Sequence, residues 1–336
     1  MVLEHQTPLT TCPQGGARTL DGVSTIAFLG PKGTFTEQAA RTLPEFDGAR
    51  LLPADGVGAA FDLVRSGAAD AACVPVENSV EGSVTTTLDA LADPDAQPLV
   101  AVREAVLPIR FVVLVRPGTD AESVQSVATH PHAAAQVRGW LAANLPHAKL
   151  VTTFSTAAAA VAVCDGDADA AVTAPVAATH YPLDTLAADV ADLPDAVTRF
   201  LLLRLPSVPL PPTGTDRTSL VAVTADRAGA LMEVLAEFAL RGINLSRIES
   251  RTTKGRLGQY QFFLDCDGHI ADARIGDALA ALHRRCVRVR FLGSYPRASP
   301  TPDAPAPVPS GFSDGLSDTA YSEAATWLAG LQRGEA

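Results

Sequence analysis

A repeated segment limits the folds open to this 336-residue chain more than any other feature of its sequence. Residues 64–76 (VRSGAADAACVPV) resemble residues 163–176 (VCDGDADAAVTAPV), and Asp70 and Asp169 are related by an offset of 99. Internal similarity at a fixed offset indicates two copies of one structural unit.

Other predicted elements follow nearly the same offset. A strand over 26–29 corresponds to one over 124–129, and a helix over 57–66 corresponds to one over 156–165. Each copy predicts strand, loop, helix, strand, helix and strand, which is the order of a parallel α/β sheet. The alternative is that the repeated segment is only a common turn between helix and strand. Two similar lobes side by side leave a cleft, and small anions bind such clefts at helix N-termini and strand ends.

Proline-rich segments divide the chain. Prolines crowd residues 205–215 and 296–310, and this density disfavours both helix and sheet. We therefore expect an irregular tail (1–24), a first folded block (25–205) whose second lobe spans about 101–190, a linker (206–216), a second folded block (217–296) and a proline-rich tail (297–336) with a short helix over 317–331.

The second folded block predicts a βαββαβ order of elements, which is the ferredoxin-like arrangement. Because this fold carries many functions, the order alone assigns none. The predicted strands are 219–224, 243–251, 259–265 and 287–295, the predicted helices are 228–241 and 270–284, and a turn is predicted over 254–258.

Charge and composition exclude several classes of protein. The net charge is −11, which argues against a general nucleic-acid binder, although residues 217–297 carry 13 of the 26 basic residues. No apolar segment approaches the roughly 20 residues that span a bilayer, so no membrane partner is expected. The first 24 residues contain one basic residue and no apolar segment, so no secretory signal is expected. Five widely spaced cysteines without a CxxC pair fit reduced thiols in the cytoplasm.

Polar segments lie at the ends of predicted strands in the first block. In residues 30–38, Thr34 can cap the following helix, and Lys32 places a positive charge beside that helix N-terminus. The structural alternative is an ordinary strand–turn–helix connection with a solvated lysine. A second polar segment follows a buried strand and contains Glu77, Asn78 and Ser79.

Two further segments occupy similar places in the sequence. His130 and His132 precede Gln136 in a predicted helix, and Thr198 and Arg199 stand at the start of a buried strand. An arginine beside a hydroxyl can bind a carboxylate with two hydrogen bonds. The two histidines have no third ligand at metal-binding spacing, so no metal is expected. Each of these residues can instead be an ordinary surface residue.

Together these segments resemble the signature motifs of prephenate dehydratases. The resemblance is carried by residues 28–40 (FLGPKGTFTEQAA), 74–84 (VPVENSVEGSV) and 198–200 (TRF), in the order and spacing of that family. The second block resembles an ACT regulatory domain through residues 229–235 (GALMEVL) and 244–251 (NLSRIESR).

The resemblance implies a two-lobed α/β catalytic domain of the type II periplasmic-binding-protein kind, with a cleft between the lobes, followed by the ferredoxin-like ACT domain. It implies decarboxylative dehydration of prephenate to phenylpyruvate in phenylalanine biosynthesis, with no metal, nucleotide or redox cofactor. The alternatives are an arogenate dehydratase and a non-catalytic amino-acid sensor. The sequence departs from the family pattern at His132, where glutamine is usual, at 195–197, where asparagine is common, and at Thr252, where proline is usual.

By the same resemblance, Thr198 is the essential catalytic residue, and Arg199 binds a substrate carboxylate or orients Thr198. Phe200 shields the substrate ring, and Glu77 is the candidate proton source. The remaining residues expected to bind substrate are Thr34, Asn78, Ser79, Gln136 and Lys32.

The resemblance also implies that phenylalanine binds between two copies of the chain, in a homodimer or homotetramer. The residues implied in this site are Gly229, Ala230 and Leu231 of one copy and Asn244, Leu245 and Ser246 of the other. Their structural alternative is a helix start and a core strand. Since residues 25–205 carry 11 basic and 21 acidic residues, attraction for a dianionic substrate has to be local, and we expect it from Arg199, Lys32 and helix N-termini.

Overall fold

The computed structural model describes residues 23–253, 259–298 and 316–335. The predicted tail lies almost wholly outside these residues, as do the turn predicted over 254–258 and most of the C-terminal proline-rich segment.

The first lobe is a mixed sheet with helices on both faces. Its strand order is β2-β1-β3-β11-β5, and β4 pairs with β3 beside this path. Its strands are β1 (Thr25–Leu29), β2 (Arg50–Ala54), β3 (Ala71–Asn78), β4 (Gly82–Ser83), β5 (Val100–Pro108) and β11 (Val197–Arg204), and its helices are α1 (Phe35–Thr42), α2 (Val57–Arg65) and α3 (Thr85–Ala92).

The second lobe repeats this arrangement with the strand order β10-β6-β9-β7-β8. Its strands are β6 (Val112–Val115), β7 (Ser126–Thr129), β8 (Lys149–Thr152), β9 (Ala170–Thr173) and β10 (Asp184–Ala187), and its helices are α4 (Pro131–Gln136), α5 (Arg138–Asn144) and α6 (Thr156–Asp165).

The structure corrects two expectations about the lobes. The sheets are mixed rather than parallel, because β11 runs antiparallel to β3 in the first lobe and β6 runs antiparallel to β9 in the second. The second lobe does not begin near residue 101, because β5 pairs with β11 in the first sheet and the chain crosses over only after Pro108. The chain returns to the first lobe at Val197, where β11 begins. The side chains of β11 therefore belong to the first lobe, although β11 follows the whole second lobe in sequence.

The repeated aspartates explain why the sequence repeat is so recognisable. The Asp70 carboxylate accepts hydrogen bonds from the backbone N–H groups of Ser24 and Thr25 and from the Ser24 hydroxyl, at 2.8–3.0 Å. Asp169 accepts the same three kinds of bond from Gln125 and Ser126. Each aspartate therefore fixes the entry of the first strand of its lobe.

The second folded block, called the ACT domain after the family that its sequence resembles, is a four-stranded antiparallel sheet with two helices on one face. The strand order is β13-β14-β12-β15, as a ferredoxin-like βαββαβ order requires. Its elements are β12 (Asp216–Val223), α7 (Ala230–Ala239), β13 (Leu245–Thr252), β14 (Tyr260–Asp267), α8 (Ala273–Arg285) and β15 (Arg288–Pro296).

The other face of the ACT sheet packs on the first lobe. Leu292 and Tyr295 of the ACT domain share one buried cluster with Leu201 and Leu203 of β11. The contact is close, because a Cβ on Gly293 would lie 2.2 Å from the carbonyl oxygen of Ala101. The ACT sheet therefore lies directly against the sheet that contains β11.

A last helix, α9 (Asp318–Gln332), covers the region where the sequence predicts a short helix over 317–331. The Asp318 carboxylate accepts hydrogen bonds from the Arg274 side chain at 3.1 Å, so α9 lies against α8. Its Trp327 and Leu328 remain exposed.

The repeated aspartates give a pH-dependent stability test. Burial alone would raise the pKa of Asp70, but its hydrogen bonds lower it below the ordinary value. The hydrogen bond from Ser126 is the main cause of a lowered pKa at Asp169. A lowered pKa stabilises the fold above about pH 4, and this contribution disappears as the pH falls.

We expect Asp70→Asn and Asp169→Asn each to lower the free energy of unfolding by about 1–3 kcal/mol at pH 7, measured by urea denaturation. The difference from wild type should shrink below about pH 4. The exposed Asp47→Asn is the control and should change stability by less than about 0.5 kcal/mol. A difference that grows on acidification would contradict the assigned role of the carboxylates.

Candidate active site

A cleft of about 1070 Å³ lies between the two lobes. It receives the ends of β3 and β11 from the first lobe and the start of α4 from the second. Of the residues singled out in the sequence, those that line it are Thr34, Asn78, His130, His132, Gln136, Thr198 and Phe200.

Thr198 is held in the cleft wall by strand pairing on both sides. It lies opposite Asn78 of β3 and opposite Leu107 of β5, and its side chain is almost fully buried. The Asn78 side-chain amide donates a hydrogen bond to Thr198 Oγ1 at 2.8 Å. The Thr198 hydroxyl therefore accepts from Asn78 and keeps its own proton for a group in the cleft.

The orientation of Asn78 is set by its other contacts. Its Oδ1 accepts hydrogen bonds from the backbone N–H groups of Val80 and Glu81, at 2.8 and 2.9 Å. Since the oxygen is engaged by these two donors, the NH₂ group must be the side that faces Thr198. A local turn of the chain thus determines the direction of the hydrogen bond between Asn78 and Thr198.

Two further polar side chains reach the cleft from opposite lobes. Thr34 caps α1, accepting from the Glu37 backbone N–H at 3.3 Å and donating to the Leu29 carbonyl at 3.1 Å. Gln136 of α4 is buried, and its Oε1 has no hydrogen-bond partner among the described residues. A buried polar atom without a partner is costly, so Gln136 is suited to bind a ligand in the cleft.

Aromatic rings form the apolar part of the cleft. Phe35 of α1 and Phe111 of the second lobe contact each other edge to face across the lobes, with ring centroids 5.3 Å apart. Phe200 lies beside Thr198's pocket and is buried. A ring-shaped substrate would thus meet an apolar wall next to the Thr198 hydroxyl.

No lysine or arginine of the described ranges lines the cleft, so positive potential there has other sources. The N-terminal ends of α1, α3 and α6 face it, through Thr34–Thr36, Thr85–Thr86 and Ser155–Thr156. Unpaired N–H groups at helix N-termini attract anions. His130 also lines the cleft; burial and then His132 lower its pKa, while Glu81 opposes them.

The structure corrects the expectation that Arg199 binds substrate. Neighbouring residues of a strand point to opposite faces, so Thr198 faces the cleft and Arg199 faces the ACT domain. The Arg199 guanidinium donates to the Asp265 carboxylate at 2.6 Å and lies 3.7 Å from Glu104 and 3.6 Å from Glu77. It is therefore part of an interdomain ion cluster.

Three other expected site residues also lie away from the cleft lining. Lys32 is exposed on the surface, and its backbone carbonyl accepts a hydrogen bond from the Tyr181 hydroxyl at 3.1 Å. Glu77 faces Arg199 and Arg247 rather than Thr198, so it is not placed to protonate a group in the cleft. Ser79 exchanges hydrogen bonds with the backbone of Val197 and so fixes the start of β11.

The interdomain ion cluster was missed by the sequence analysis. Asp265 accepts a hydrogen bond from Ser219 at 2.6 Å, and Glu104 accepts one from Arg217 at 2.5 Å. Burial alone would raise the pKa of Asp265, but Arg199 and then Arg247 lower it below its ordinary value. One feature of the sequence could have indicated this cluster. Successive side chains of a strand point to opposite faces, so Thr198 and Arg199 cannot both face the cleft.

The residues implied in effector binding lie at the helix end and edge strand of the ACT sheet. Gly229 caps α7 with φ +83°, and a Cβ there would meet nothing within 4 Å. Only the positive φ therefore requires glycine, and the space above it is open to a ligand. Asn244 donates to Asp267 at 2.7 Å, and Ser246 donates to the Asp265 carbonyl at 3.4 Å.

Two features are absent from the described residues. These residues contain no group of three or more histidine, cysteine, aspartate or glutamate side chains arranged to hold a metal ion. None of their helices combines the length and apolar character that crossing a membrane requires.

Two lobes around a polar-and-aromatic cleft, with a ferredoxin-like domain packed on one lobe, define a small-molecule enzyme with a regulatory module. The prephenate dehydratase family model matches residues 26–207, and the ACT domain model matches residues 218–284. A prephenate dehydratase of Amycolatopsis methanolica is 55% identical over 314 residues, 93% of this chain and 99% of that protein. The chain therefore belongs to the prephenate dehydratase family and has a C-terminal ACT domain.

Solved structures agree with this assignment. A prephenate dehydratase from Arthrobacter aurescens, in complex with L-Phe, matches with a TM-score of 0.83 and 46% identity, covering 92% of this chain and 99% of that one. GqqA, described as a novel type of quorum quenching acylase, matches with a TM-score of 0.73 and 31% identity over 82% of this chain and 98% of its own. Because proteins of different described activities share this fold, the chemistry of the cleft has to support the activity.

Proposed function

We propose that this protein is a prephenate dehydratase whose activity is regulated by phenylalanine. The observation that carries the activity is the Thr198 hydroxyl, which Asn78 orients so that its proton is available in the cleft of a chain belonging to this family.

The reaction asks for few groups from the protein. The bond between the prephenate ring and its carboxylate breaks and releases carbon dioxide, and the electron pair of that bond enters the ring. The ring C–O bond then breaks, and the hydroxyl gains a proton and departs as water. Because the ring becomes aromatic, much of the driving force lies in the substrate, and the enzyme mainly has to help the hydroxyl leave.

Thr198 helps the hydroxyl leave as a hydrogen-bond donor. A threonine hydroxyl has no pKa near neutrality, so it does not serve as the acid itself. Its proton points away from the bond that it accepts from Asn78 and stabilises charge on the departing oxygen. The proton therefore comes from another group, and the carboxyl and imidazole side chains of the cleft lining are Asp55, Glu81, His130 and His132.

Since no arginine or lysine of the described residues lines the cleft, the substrate carboxylates are held by neutral donors. The N-terminal ends of α1, α3 and α6 supply N–H groups and hydroxyls, and Gln136 supplies a side-chain amide from the second lobe. Such neutral donors bind the departing carboxylate less strongly than a cation would, so they do not oppose decarboxylation. Phe200 excludes water beside the ring.

Regulation is assigned to the ACT domain. We infer that phenylalanine binds where Gly229, Ala230 and Leu231 of one copy face Asn244, Leu245 and Ser246 of another, in a homodimer or homotetramer. The open space at Gly229 supports this assignment, as does the L-Phe bound to the A. aurescens relative. An effector changes activity only by binding two conformations of the enzyme with different affinity.

One assay tests the activity. Purified protein is mixed with prephenate or with arogenate, with and without phenylalanine, and formation of phenylpyruvate or phenylalanine is followed. We expect turnover of prephenate, a lower kcat/KM for arogenate, and a response to added phenylalanine. Preference for arogenate would assign the rival dehydratase, and no turnover of either substrate with phenylalanine still bound would assign a sensor.

Thr198→Val tests the catalytic hydrogen bond. Valine keeps the shape of threonine but has no donor, so we expect kcat for prephenate to fall by at least about 100-fold, with thermal stability close to wild type. The matched control is Thr173→Val, because Thr173 is fully buried outside the cleft lining and its hydroxyl has no partner among the described residues. The control should keep kcat within about twofold. Equal turnover by the two variants would rule out the proposed role.

A further inference from the structure

We propose that Arg247 of the ACT domain is a positioning residue for the catalytic cleft. It holds the cleft wall formed by residues 82–86 through Ser83, and it thereby connects the strand assigned to phenylalanine with the substrate. The inference rests on the proposed function for its substrate and its effector.

The catalytic domain faces one side of β13. Arg247 and Glu249 both hydrogen bond to the Ser83 hydroxyl, and the Arg247 guanidinium does so as donor at 2.6 Å. Two residues further along the strand, Arg251 lies 2.8 Å from Asp89 of α3. Alternate residues of the edge strand of the ACT sheet therefore reach across the domain interface.

The segment that Arg247 contacts is a wall of the cleft. Residues 82–86 all line it, and they connect β3 to α3. Within the catalytic domain this wall is held by the two-residue strand β4 and by a backbone hydrogen bond from Val84 to the Val76 carbonyl at 3.0 Å, and no side chain of the described residues caps the start of α3. Contacts from the ACT domain to Ser83 therefore help to determine where the wall lies.

Arg247 is nearly buried and is fixed by several charges. Its side chain is 8% exposed, its guanidinium donates to Glu249 at 2.8 Å, and it lies 3.8 Å from Glu77. Such a side chain moves with its backbone rather than turning freely into solvent. A shift of β13 is consequently passed on to Ser83.

The strand has an irregularity next to the residues assigned to phenylalanine. The pairing of β13 with β14 shifts register between Leu245 and Arg247, so Ser246 stands outside the regular ladder. The extra residue of such a bulge is left out of the pairing and disrupts the ladder locally. A ligand that contacts Ser246 therefore acts on the backbone directly beside Arg247, where the ladder is weakest.

The test compares two arginines on the same face of the same strand. Arg247→Gln removes the contact with the cleft wall, whereas Arg251→Gln removes an interdomain ion pair with Asp89, which is absent from the cleft lining. For the full-length protein we measure kcat and KM for prephenate without phenylalanine and at saturating phenylalanine, and the phenylalanine Kd by calorimetry.

We expect Arg247→Gln to raise KM at least fivefold. It should also reduce at least fivefold the factor by which saturating phenylalanine changes KM, where fivefold is the low end of usual allosteric coupling. Arg251→Gln should change both quantities less than twofold. Arg247→Lys, which keeps a donor for Ser83, should give intermediate values, and Ser83→Ala added to Arg247→Gln should raise KM no further.

Equal effects of the two glutamine variants would overturn the proposal, because they would show a general weakening of the interface. Unchanged KM and unchanged coupling in Arg247→Gln would also overturn it. Failure of the wild-type protein to turn over prephenate would instead refute the proposed function, so the two failures can be told apart.

Discussion

The alternation of side chains on β11 is the constraint on which the rest of the structure depends. Thr198 and Arg199 are neighbours in sequence, yet one faces the cleft and the other faces the ACT domain. A single strand thus forms a wall of the cleft on one face and the domain interface on the other. A movement of β11 relative to the ACT sheet therefore displaces residues of both the cleft wall and the domain interface.

The interdomain face holds a cluster of charges that is buried at its centre. Three arginines (Arg199, Arg217 and Arg247) contact four carboxylates (Glu77, Glu104, Glu249 and Asp265), of which Glu104 and Asp265 are almost fully buried. Removing one partner from such a set leaves a buried charge uncompensated, which costs about 3–5 kcal/mol. Half of the basic residues of the chain lie in 217–297, and part of that positive charge neutralises the acidic catalytic domain at this interface.

The sequence predicted the fold where local pattern decides it. Asp70 and Asp169 hold the start of the first strand in their lobes by the same hydrogen bonds. The sequence around them is therefore repeated, and the repeat predicts two similar lobes. The ends of strands and helices meet at one cleft. This explains why the structure brings together Thr34, Asn78, Gln136 and Thr198. What remained hidden depends on long-range pairing.

The misplaced predictions have a common physical reason. β5 belongs to the first sheet because it pairs with β11, which lies about ninety residues later in the chain. No local sequence pattern encodes that pairing. Arg199 was expected to bind a substrate carboxylate or to orient Thr198, although adjacent strand residues point to opposite faces. Of the three local sources expected for positive potential, Arg199 and Lys32 are absent from the cleft lining, whereas the helix N-termini belong to it.

The most direct test of this account is a double-mutant cycle between Arg199 and Asp265, measured by equilibrium urea denaturation of Arg199→Gln, Asp265→Asn and the double variant. If Arg199 is an interdomain residue, the two substitutions remove one shared interaction. The coupling energy should then lie near the upper end of the usual 0.5–3 kcal/mol, roughly 2 kcal/mol or more. Additive effects, with a coupling energy near zero, would contradict the assignment of Arg199 to the domain interface.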